Sequence, residues 1–271
     1  MTRNKALIAL LACIIIIPLI YFLLFPNKPK VATTTQPIST VTNLTATLVN
    51  KQEYPHDTLA FTEGLEFVGD KLVEGTGDYG KSFIAETDLA TNKTIIKHRN
   101  NNTDFGEGIT VLNGRLYQLT YKEGKAYQYN YATMKLEKTF PLTPEGWGMT
   151  NDGKSLIVSN GTADVTYYNP ITFTIEKKIQ VSDNMGLRNN INELEYVDGS
   201  IYANIYTTNT IIKFDAQTGK IQGSLDASFI ANKLGNNKNI DVMNGIAYNK
   251  ATKTFFITGK LWPKMFEITI Q

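Results

Sequence analysis

The chain repeats itself about every 42 residues from residue 43 onward. Each copy opens at a related tripeptide, and the five are Glu63-Gly64-Leu65, Glu107-Gly108-Ile109, Trp147-Gly148-Met149, Asn192-Glu193-Leu194 and Asn244-Gly245-Ile246. The intervals between successive copies are 44, 40, 45 and 52 residues. A period of this length is typical of one four-stranded blade of a β-propeller. Residues 43–271 therefore predict an all-β fold, a five-bladed β-propeller.

The composition between the tripeptides agrees with strands and turns. Short runs rich in Val, Ile, Tyr, Phe and Thr alternate with the turn pairs Gly69-Asp70, Asn113-Gly114, Asp152-Gly153 and Asp198-Gly199. Such pairs are typical of β-hairpins. The long last interval contains an insertion at residues 227–241, in which we expect one short helix. A two-sheet sandwich is the alternative all-β fold, but it would not explain five copies.

The last copy lacks a fourth strand. It supplies strands near residues 245–248, 254–258 and 264–270, where the sequence ends. Residues 45–53 form an unassigned strand before the first copy. Pairing this strand with the last one would close the ring and leave no open sheet edge.

The N-terminal segment predicts a membrane anchor. Residues 6–25 are uncharged and follow Arg3 and Lys5. A helix of that length spans about 30 Å, the thickness of a bilayer core. We expect an uncleaved transmembrane helix within residues 1–30, a Thr-rich linker at 31–42 and the propeller at 43–271. A cleaved signal peptide and a lipoprotein signal ending at Cys13 are alternatives, disfavoured because no A-x-A-like site follows and the apolar run continues past Cys13.

Charge and composition exclude several classes of function. Residues 1–42 hold four basic side chains and no acid, which leaves 23 basic and 25 acidic side chains in the body. No basic face for nucleic acid is predicted. Because short N-termini normally stay inside, we expect a single-pass protein of the cell membrane with a monomeric propeller outside the cytoplasm, periplasmic or extracellular. One cysteine permits no intrachain disulfide, and two histidines cannot make a three-histidine metal site.

The repeat also predicts a site. The first strand of a propeller blade lines the central channel, and the residues just before the shared glycine position are Glu63, Glu107, Trp147, Asn192 and Asn244. Tyr121 and Tyr206 come 13 residues after the shared glycine position, and Lys260 comes 15 residues after it. An antiparallel second strand would return these residues to the same end of the blade. Each residue alone has a structural interpretation: a solvated glutamate, a capping asparagine or a surface lysine. Together they indicate a small-ligand site at one mouth of the channel.

These residues lie within longer motifs that resemble the glutamine cyclotransferases, the plant and bacterial type of glutaminyl cyclase. The matching stretches are His56-Asp57 and residues 60–65 (AFTEGL), 79–82 (YGKS), 105–110 (FGEGIT), 145–148 (EGWG), 191–195 (INELE), 202–204 (YAN), 244–248 (NGIAY) and 258–263 (TGKLWP). The resemblance implies a five-bladed propeller that converts the N-terminal glutamine of peptides and proteins to pyroglutamate with loss of ammonia.

The resemblance also implies roles for individual residues. Glu107 would be the catalytic acid and base. The pocket would be formed by Phe61, Glu63, Phe105, Tyr121, Trp147, Asn192, Tyr206 and Lys260. Three positions depart from the common family pattern, which has Gln at position 63 and Trp at positions 121 and 206. We expect these departures to alter substrate preference and pH optimum but not the fold.

The implied reaction needs no metal and no cofactor, because the substrate's own α-amine is the nucleophile. Two other classes of function remain open. One is a non-catalytic surface propeller that binds peptides or glycans. The other is a lactonase or sugar-oxidising propeller, whose metal could be held by Glu63, Glu107, Asn192 and Asn244.

Overall fold

The structure, a computed structural model, describes residues 41–271. The predicted anchor at residues 1–30 and nearly all of the predicted linker lie outside the described residues. Among residues 41–271, no helix has both the length and the apolar character needed to cross a membrane.

Two strands precede the first blade and belong to blades that form later in the chain: β1 (Thr42–Asn43) and β2 (Ala46–Pro55). The next twelve strands build three antiparallel four-stranded sheets. The first is β3 (Thr62–Val68), β4 (Lys71–Thr76), β5 (Phe83–Asp88) and β6 (Lys93–Arg99). The second is β7 (Gly106–Leu112), β8 (Arg115–Thr120), β9 (Lys125–Asn130) and β10 (Leu136–Pro141). The third is β11 (Met149–Asn151), β12 (Leu156–Val158), β13 (Asp164–Tyr168) and β14 (Ile175–Gln180).

A small hairpin and two further sheets complete the ring. The hairpin is β15 (Ser182–Asp183) and β16 (Gly186–Leu187). The fourth sheet contains β17 (Ile191–Val197), β18 (Ser200–Ile205), β19 (Thr210–Asp215) and β20 (Ile221–Asp226). A short helix, α1 (Ser228–Ala231), and a 3-10 turn (Asn232–Leu234) follow, and the fifth sheet contains β21 (Met243–Asn249), β22 (Thr254–Gly259) and β23 (Lys264–Ile270). The predicted five-bladed propeller and the short helix in the insertion are both confirmed.

The hairpin turns follow from local residue preferences. Asn113 and Gly114 join β7 to β8 with φ values of 52° and 74°, and Asp198 and Gly199 join β17 to β18 with 47° and 85°. Positive φ at both central residues is the condition for a type I′ turn, which asparagine, aspartate and glycine adopt most readily. These turns send each second strand back beside the first strand of its blade.

The first strands of the five blades form the centre of the ring. β3 contacts β7, β7 contacts β11, β11 contacts β17, β17 contacts β21, and β21 contacts β3. The approach leaves no room for side chains at the shared glycine position. A Cβ atom at Gly64 would lie 2.6 Å from the backbone nitrogen of Ile109, and one at Gly108 or Gly148 would clash with the backbone of the next blade. Glycine is therefore required there for close packing.

The fourth blade departs from this rule in a way that holds the centre together. Its residue at the shared position is Glu193, which is completely buried. Its carboxyl oxygens accept hydrogen bonds from the backbone nitrogen of Leu65 in the first blade, at 3.1 Å, and of Ile246 in the fifth, at 2.8 Å. One side chain therefore links three blades across the axis and satisfies two buried backbone donors.

The ring closes as predicted. β2 pairs antiparallel with β23, in a register that runs from Ala46 opposite Ile270 to Pro55 opposite Lys264, with one irregularity between Leu48 and Glu53. The fifth blade thus takes its fourth strand from the start of the domain. This pairing covers the edge that the chain would otherwise leave open.

The strand β1 was not predicted from the sequence. β1 pairs parallel with β20, with Thr42 opposite Gly223, on the outer edge of the fourth blade. Gly223 leaves space there for the side chain of Leu44, whose Cδ2 would lie 2.6 Å from a Cβ atom at that position. Strand pairing thus includes Thr42, the last residue of the predicted linker.

Removal of residues 1–54 should destabilise the domain, whereas removal of residues 1–40 should not. The longer deletion removes β2, so the edge of β23 becomes exposed. It also removes Leu44, Ala46 and Leu48, and the core surface on which they pack becomes exposed. We expect a fall in Tm of about 10 °C or more, since each kcal/mol corresponds to about 2–4 °C in a domain of this size. Thermal unfolding followed by circular dichroism measures this. An equal Tm for the two proteins would mean that β2 is not needed for closure.

Candidate active site

All nine predicted site residues lie at the same end of their blades. Phe61, Glu63, Phe105 and Glu107 are at or just before the start of β3 and β7, Trp147 precedes β11, and Asn192 is at the start of β17. Tyr121, Tyr206 and Lys260 directly follow β8, β18 and β22. Because first and second strands run antiparallel, the start of one and the end of the next meet at one edge.

The structure brings these nine side chains together around one cavity of about 190 Å³. Its lining consists of Phe61, Glu63, Phe105, Glu107, Tyr121, Trp147, Asn192, Tyr206 and Lys260. This volume is below the range of about 300–1,000 Å³ that drug-sized ligands occupy. It therefore suits one amino-acid side chain better than a longer ligand.

Aromatic rings form the walls of the cavity. Phe105 packs edge-on against Phe61, with ring centroids 6.0 Å apart, and lies 5.7 Å from Tyr121. On the other side, Trp147 and Tyr206 pack edge to face at 5.4 Å. Such pairs hold each other in place and keep water away from the cavity floor.

The floor carries buried charges in a defined arrangement. The ammonium Nζ of Lys260 donates to Oε1 of Glu63 at 2.6 Å, and the amide of Asn244 donates to Oε2 of Glu63 at 3.2 Å. Glu63 is 1% exposed, and Glu107 and Lys260 are each 5% exposed. The Lys260 ammonium also lies over the ring of Phe61, 4.5 Å from its centroid. An ion pair and a second carboxyl group thus share one enclosed space.

Asn192 adds an amide group to the lining of the cavity. The residue is 3% exposed, and its Oδ1 is buried without a hydrogen-bond partner within the described part of the chain. Buried polar atoms are normally paired, so this oxygen is an exception.

A larger cavity, of about 420 Å³, lies at the opposite ends of the first strands and includes Glu66, Asn151 and Glu195. All three of its carboxyl groups already accept hydrogen bonds from backbone nitrogens: Glu66 from Val111 and Glu195 from Tyr248, each at 2.8 Å, and Asp152 from Lys154 and Ser155. Within residues 41–271, no group of three or more His, Cys, Asp or Glu side chains is placed to hold a metal ion.

Comparison with known proteins identifies the family. The sequence model of the family described as glutamine cyclotransferase matches residues 22–270. The chain belongs to the glutamine cyclotransferase family. It is therefore an enzyme of that class, and the resemblance seen in the motifs is confirmed.

Two relatives agree with this assignment. The cyclotransferase is 36% identical over 223 residues to the Arabidopsis thaliana protein named glutaminyl-peptide cyclotransferase, an alignment that covers 81% of this chain and 70% of that protein. It also matches the crystal structure of Myxococcus xanthus glutaminyl cyclase, with a TM-score of 0.78 and 31% identity. That match covers 86% of this chain and 99% of the other.

Burial and mutual repulsion give the two carboxyl groups, Glu63 and Glu107, different pKa values. Burial raises the pKa of Glu107 well above the usual glutamate value, and the negative charge of Glu63 raises it further. Burial also raises the pKa of Glu63, to about 7, but the Lys260 ammonium opposes this increase. Since Glu63 alone has direct donors from Lys260 and Asn244, Glu63 ionises first as the pH rises, and Glu107 keeps its proton to higher pH.

The sequence did not predict the contacts of several supporting residues. Asn244 was predicted to share the ring of site residues, but it lies behind Glu63 and is fixed by a 2.9 Å hydrogen bond to the Thr62 carbonyl. Glu145, within the EGWG motif, accepts a hydrogen bond from Trp147 Nε1 at 3.3 Å. Tyr79, within the YGKS motif, packs against Phe105 with a centroid distance of 5.4 Å. The motifs contained all three residues, but only the geometry shows their supporting contacts.

Removal of one partner of the buried ion pair should cost more stability than removal of both. Lys260→Met leaves the Glu63 carboxylate buried without a counter-ion, which should lower the free energy of unfolding by about 3–5 kcal/mol at pH 8. The double variant Glu63→Gln/Lys260→Met removes both charges and should recover much of that loss. Urea denaturation of the two variants and the wild type measures the difference. Equal stability of the two variants would contradict a close buried pair.

Proposed function

We propose that this cyclotransferase converts the N-terminal glutamine of peptides and proteins into pyroglutamate and ammonia at the mouth of the propeller channel. The observation that carries the proposal is the enclosed cavity in which the buried carboxyl of Glu107 lies beside a charge-paired Glu63 and Lys260. The cavity has room for one side chain, which suits an N-terminal residue. The names of the plant and bacterial relatives support the same reaction.

Glu107 would act first as base and then as acid. The substrate's α-amine attacks the carbon of its own γ-carboxamide, and a C–N bond forms while the amine gives a proton to the Glu107 carboxylate. The bond from that carbon to the side-chain nitrogen then breaks, and Glu107 returns the proton to the departing ammonia. The products are the pyroglutamyl lactam and NH₃, with Glu107 restored. A raised pKa suits a carboxyl group that must both accept and donate a proton.

The remaining residues would orient the substrate and exclude water. Asn192 lines the cavity, and its amide would form a hydrogen bond with the substrate. Phe61, Phe105, Tyr121, Trp147 and Tyr206 enclose the side chain and limit hydrolysis by water, which competes with the α-amine. Because the substrate supplies the nucleophile and Glu107 moves the proton, we propose a metal-independent reaction.

Glu107→Gln should lower kcat for a glutaminyl peptide by at least about 100-fold, because it removes the titrating group and keeps the shape of the side chain. Release of ammonia from Gln-Ala-amide, measured with a coupled glutamate dehydrogenase assay, is the readout. Glu195→Gln is the matched control, since Glu195 is also buried but lies outside this cavity. Equal losses in both variants would point to a structural effect, and undiminished turnover by Glu107→Gln would contradict the assigned role.

Glu63→Gln should keep substantial activity and move the acidic limb of the pH profile to lower pH. Activity falls at low pH as the Glu107 carboxylate becomes protonated, and the Glu63 charge raises the pKa at which this happens. Removal of that charge leaves the Lys260 cation nearby, so the pKa of Glu107 falls and the limb moves down. If Glu63→Gln abolished turnover while Glu107→Gln kept it, the two roles would be reversed.

We propose, in addition, that residues 1–30 anchor the protein in the cell membrane, that the predicted linker at 31–42 connects the anchor to the propeller up to the start of β1 at Thr42, and that the propeller lies outside the cytoplasm as a monomer. The uncharged run at residues 6–25 and the Thr-rich segment after it support this arrangement. The full-length protein should sediment with membranes and resist carbonate extraction, whereas residues 41–271 should be soluble. Full-length protein in the soluble fraction would contradict the anchor.

A further inference from the structure

Within the described chain, the active-site cavity has one basic side chain, and that side chain is already paired. Lys260 is the only lysine or arginine among the nine lining residues. Its ammonium donates to Glu63 Oε1 at 2.6 Å, and both side chains are almost completely buried. A buried ammonium with such a counter-ion is electrically satisfied.

Glu63 is held firmly in the position that pairs with Lys260. Asn244 donates to its other oxygen at 3.2 Å, and Asn244 is itself fixed by the Thr62 carbonyl. The Glu63 side chain also packs closely on Gly77, where an added Cβ would lie 3.1 Å from Glu63 Cγ. The carboxylate therefore cannot swing away to free Lys260 for a ligand.

The surroundings of the cavity add further negative charge. The carboxylates of Glu145 and Glu123 raise the pKa of Glu107, and that of Asp241 raises the pKa of Glu63. A ligand that carries a carboxylate would therefore meet acids on several sides and a single cation that is already occupied. A neutral carboxamide meets no such penalty, because it needs hydrogen bonds but no counter-ion.

We propose that Glu63 is a specificity-determining residue, which occupies Lys260 and thereby excludes peptides that begin with glutamate. N-terminal glutamate differs from glutamine only in its γ-carboxylate, which is ionised at neutral pH. With Gln at position 63, the Lys260 ammonium would be free to bind that carboxylate. This inference rests on the proposed function and assigns the selection of glutamine over glutamate to one side chain of this chain.

The test compares two dipeptide amides that differ in one group. Gln-Ala-amide serves as the substrate and Glu-Ala-amide as a competitive inhibitor, with ammonia release as the readout at pH 7.5. The ratio of the inhibitor Ki to the substrate KM measures discrimination. Glu63→Gln should lower this ratio at least tenfold. A purely structural role of Glu63 would impair both ligands alike and leave the ratio unchanged.

Two further variants control the interpretation. Glu63→Ala also frees Lys260 and should lower the ratio in the same direction, which keeps the test valid if Glu63→Gln folds poorly. Glu63→Gln/Lys260→Met removes the freed cation and should restore discrimination against Glu-Ala-amide. Calorimetric titration of each variant with Glu-Ala-amide provides a direct measure of binding that does not depend on turnover.

The outcomes separate this inference from the proposed function. If the wild type releases no ammonia from Gln-Ala-amide or longer glutaminyl peptides, the proposed function fails and this inference fails with it. If the wild type turns over Gln-Ala-amide but neither single variant gains affinity for Glu-Ala-amide, this inference alone is overturned. A gain that disappears when Lys260 is also replaced supports it.

Discussion

The close approach of the five first strands at the propeller axis is the constraint on which the rest of the structure depends. Backbone meets backbone at Gly64, Gly108 and Gly148, which leaves no room for a side chain, and the fourth glycine, Gly245, has a φ of 120° that other residues rarely adopt. The fourth blade instead has Glu193, which uses the remaining central space to bind backbone donors of two other blades. Close packing thus sets how the blades meet, and it fixes the backbone on which the cavity is built.

The same close approach also positions the side chains of the cavity. The residue before each shared position is held at the edge of the tightest part of the ring, so its side chain has little freedom to move. Glu63 and Glu107 occupy equivalent places in neighbouring blades, yet their environments differ. Glu63 has an ammonium and an amide as partners, whereas Glu107 has burial and the negative charge of Glu63. Two identical side chains at equivalent positions thus differ in how readily they ionise, which suits the proton transfer that we propose for Glu107.

Much of the fold could be predicted because a repeat reports on architecture directly. Five copies, the Asn-Gly and Asp-Gly turns, and the missing fourth strand together define the propeller and its closure. The identity of the cavity residues came from repeat position and family resemblance. The contacts among them did not, because Lys260 and Glu63 are 197 residues apart and no periodicity shows which way a side chain turns. Asn244 illustrates this limit, since it shares the repeat position of the cavity residues but points at Glu63. β1 escaped prediction because a two-residue strand has no pattern to detect.

Closure of the ring by β2 and β23 has a consequence for the order of events during folding. The partners in this sheet lie at opposite ends of the domain, with Ala46 opposite Ile270. β2 leaves the ribosome long before β23, so the fifth blade cannot be completed before Ile270 has been synthesised. Contacts of such long sequence separation form slowly, because the loop they close is costly in entropy. Until then, the edge of β2 is unpaired and can form hydrogen bonds with a strand of another chain, which favours aggregation.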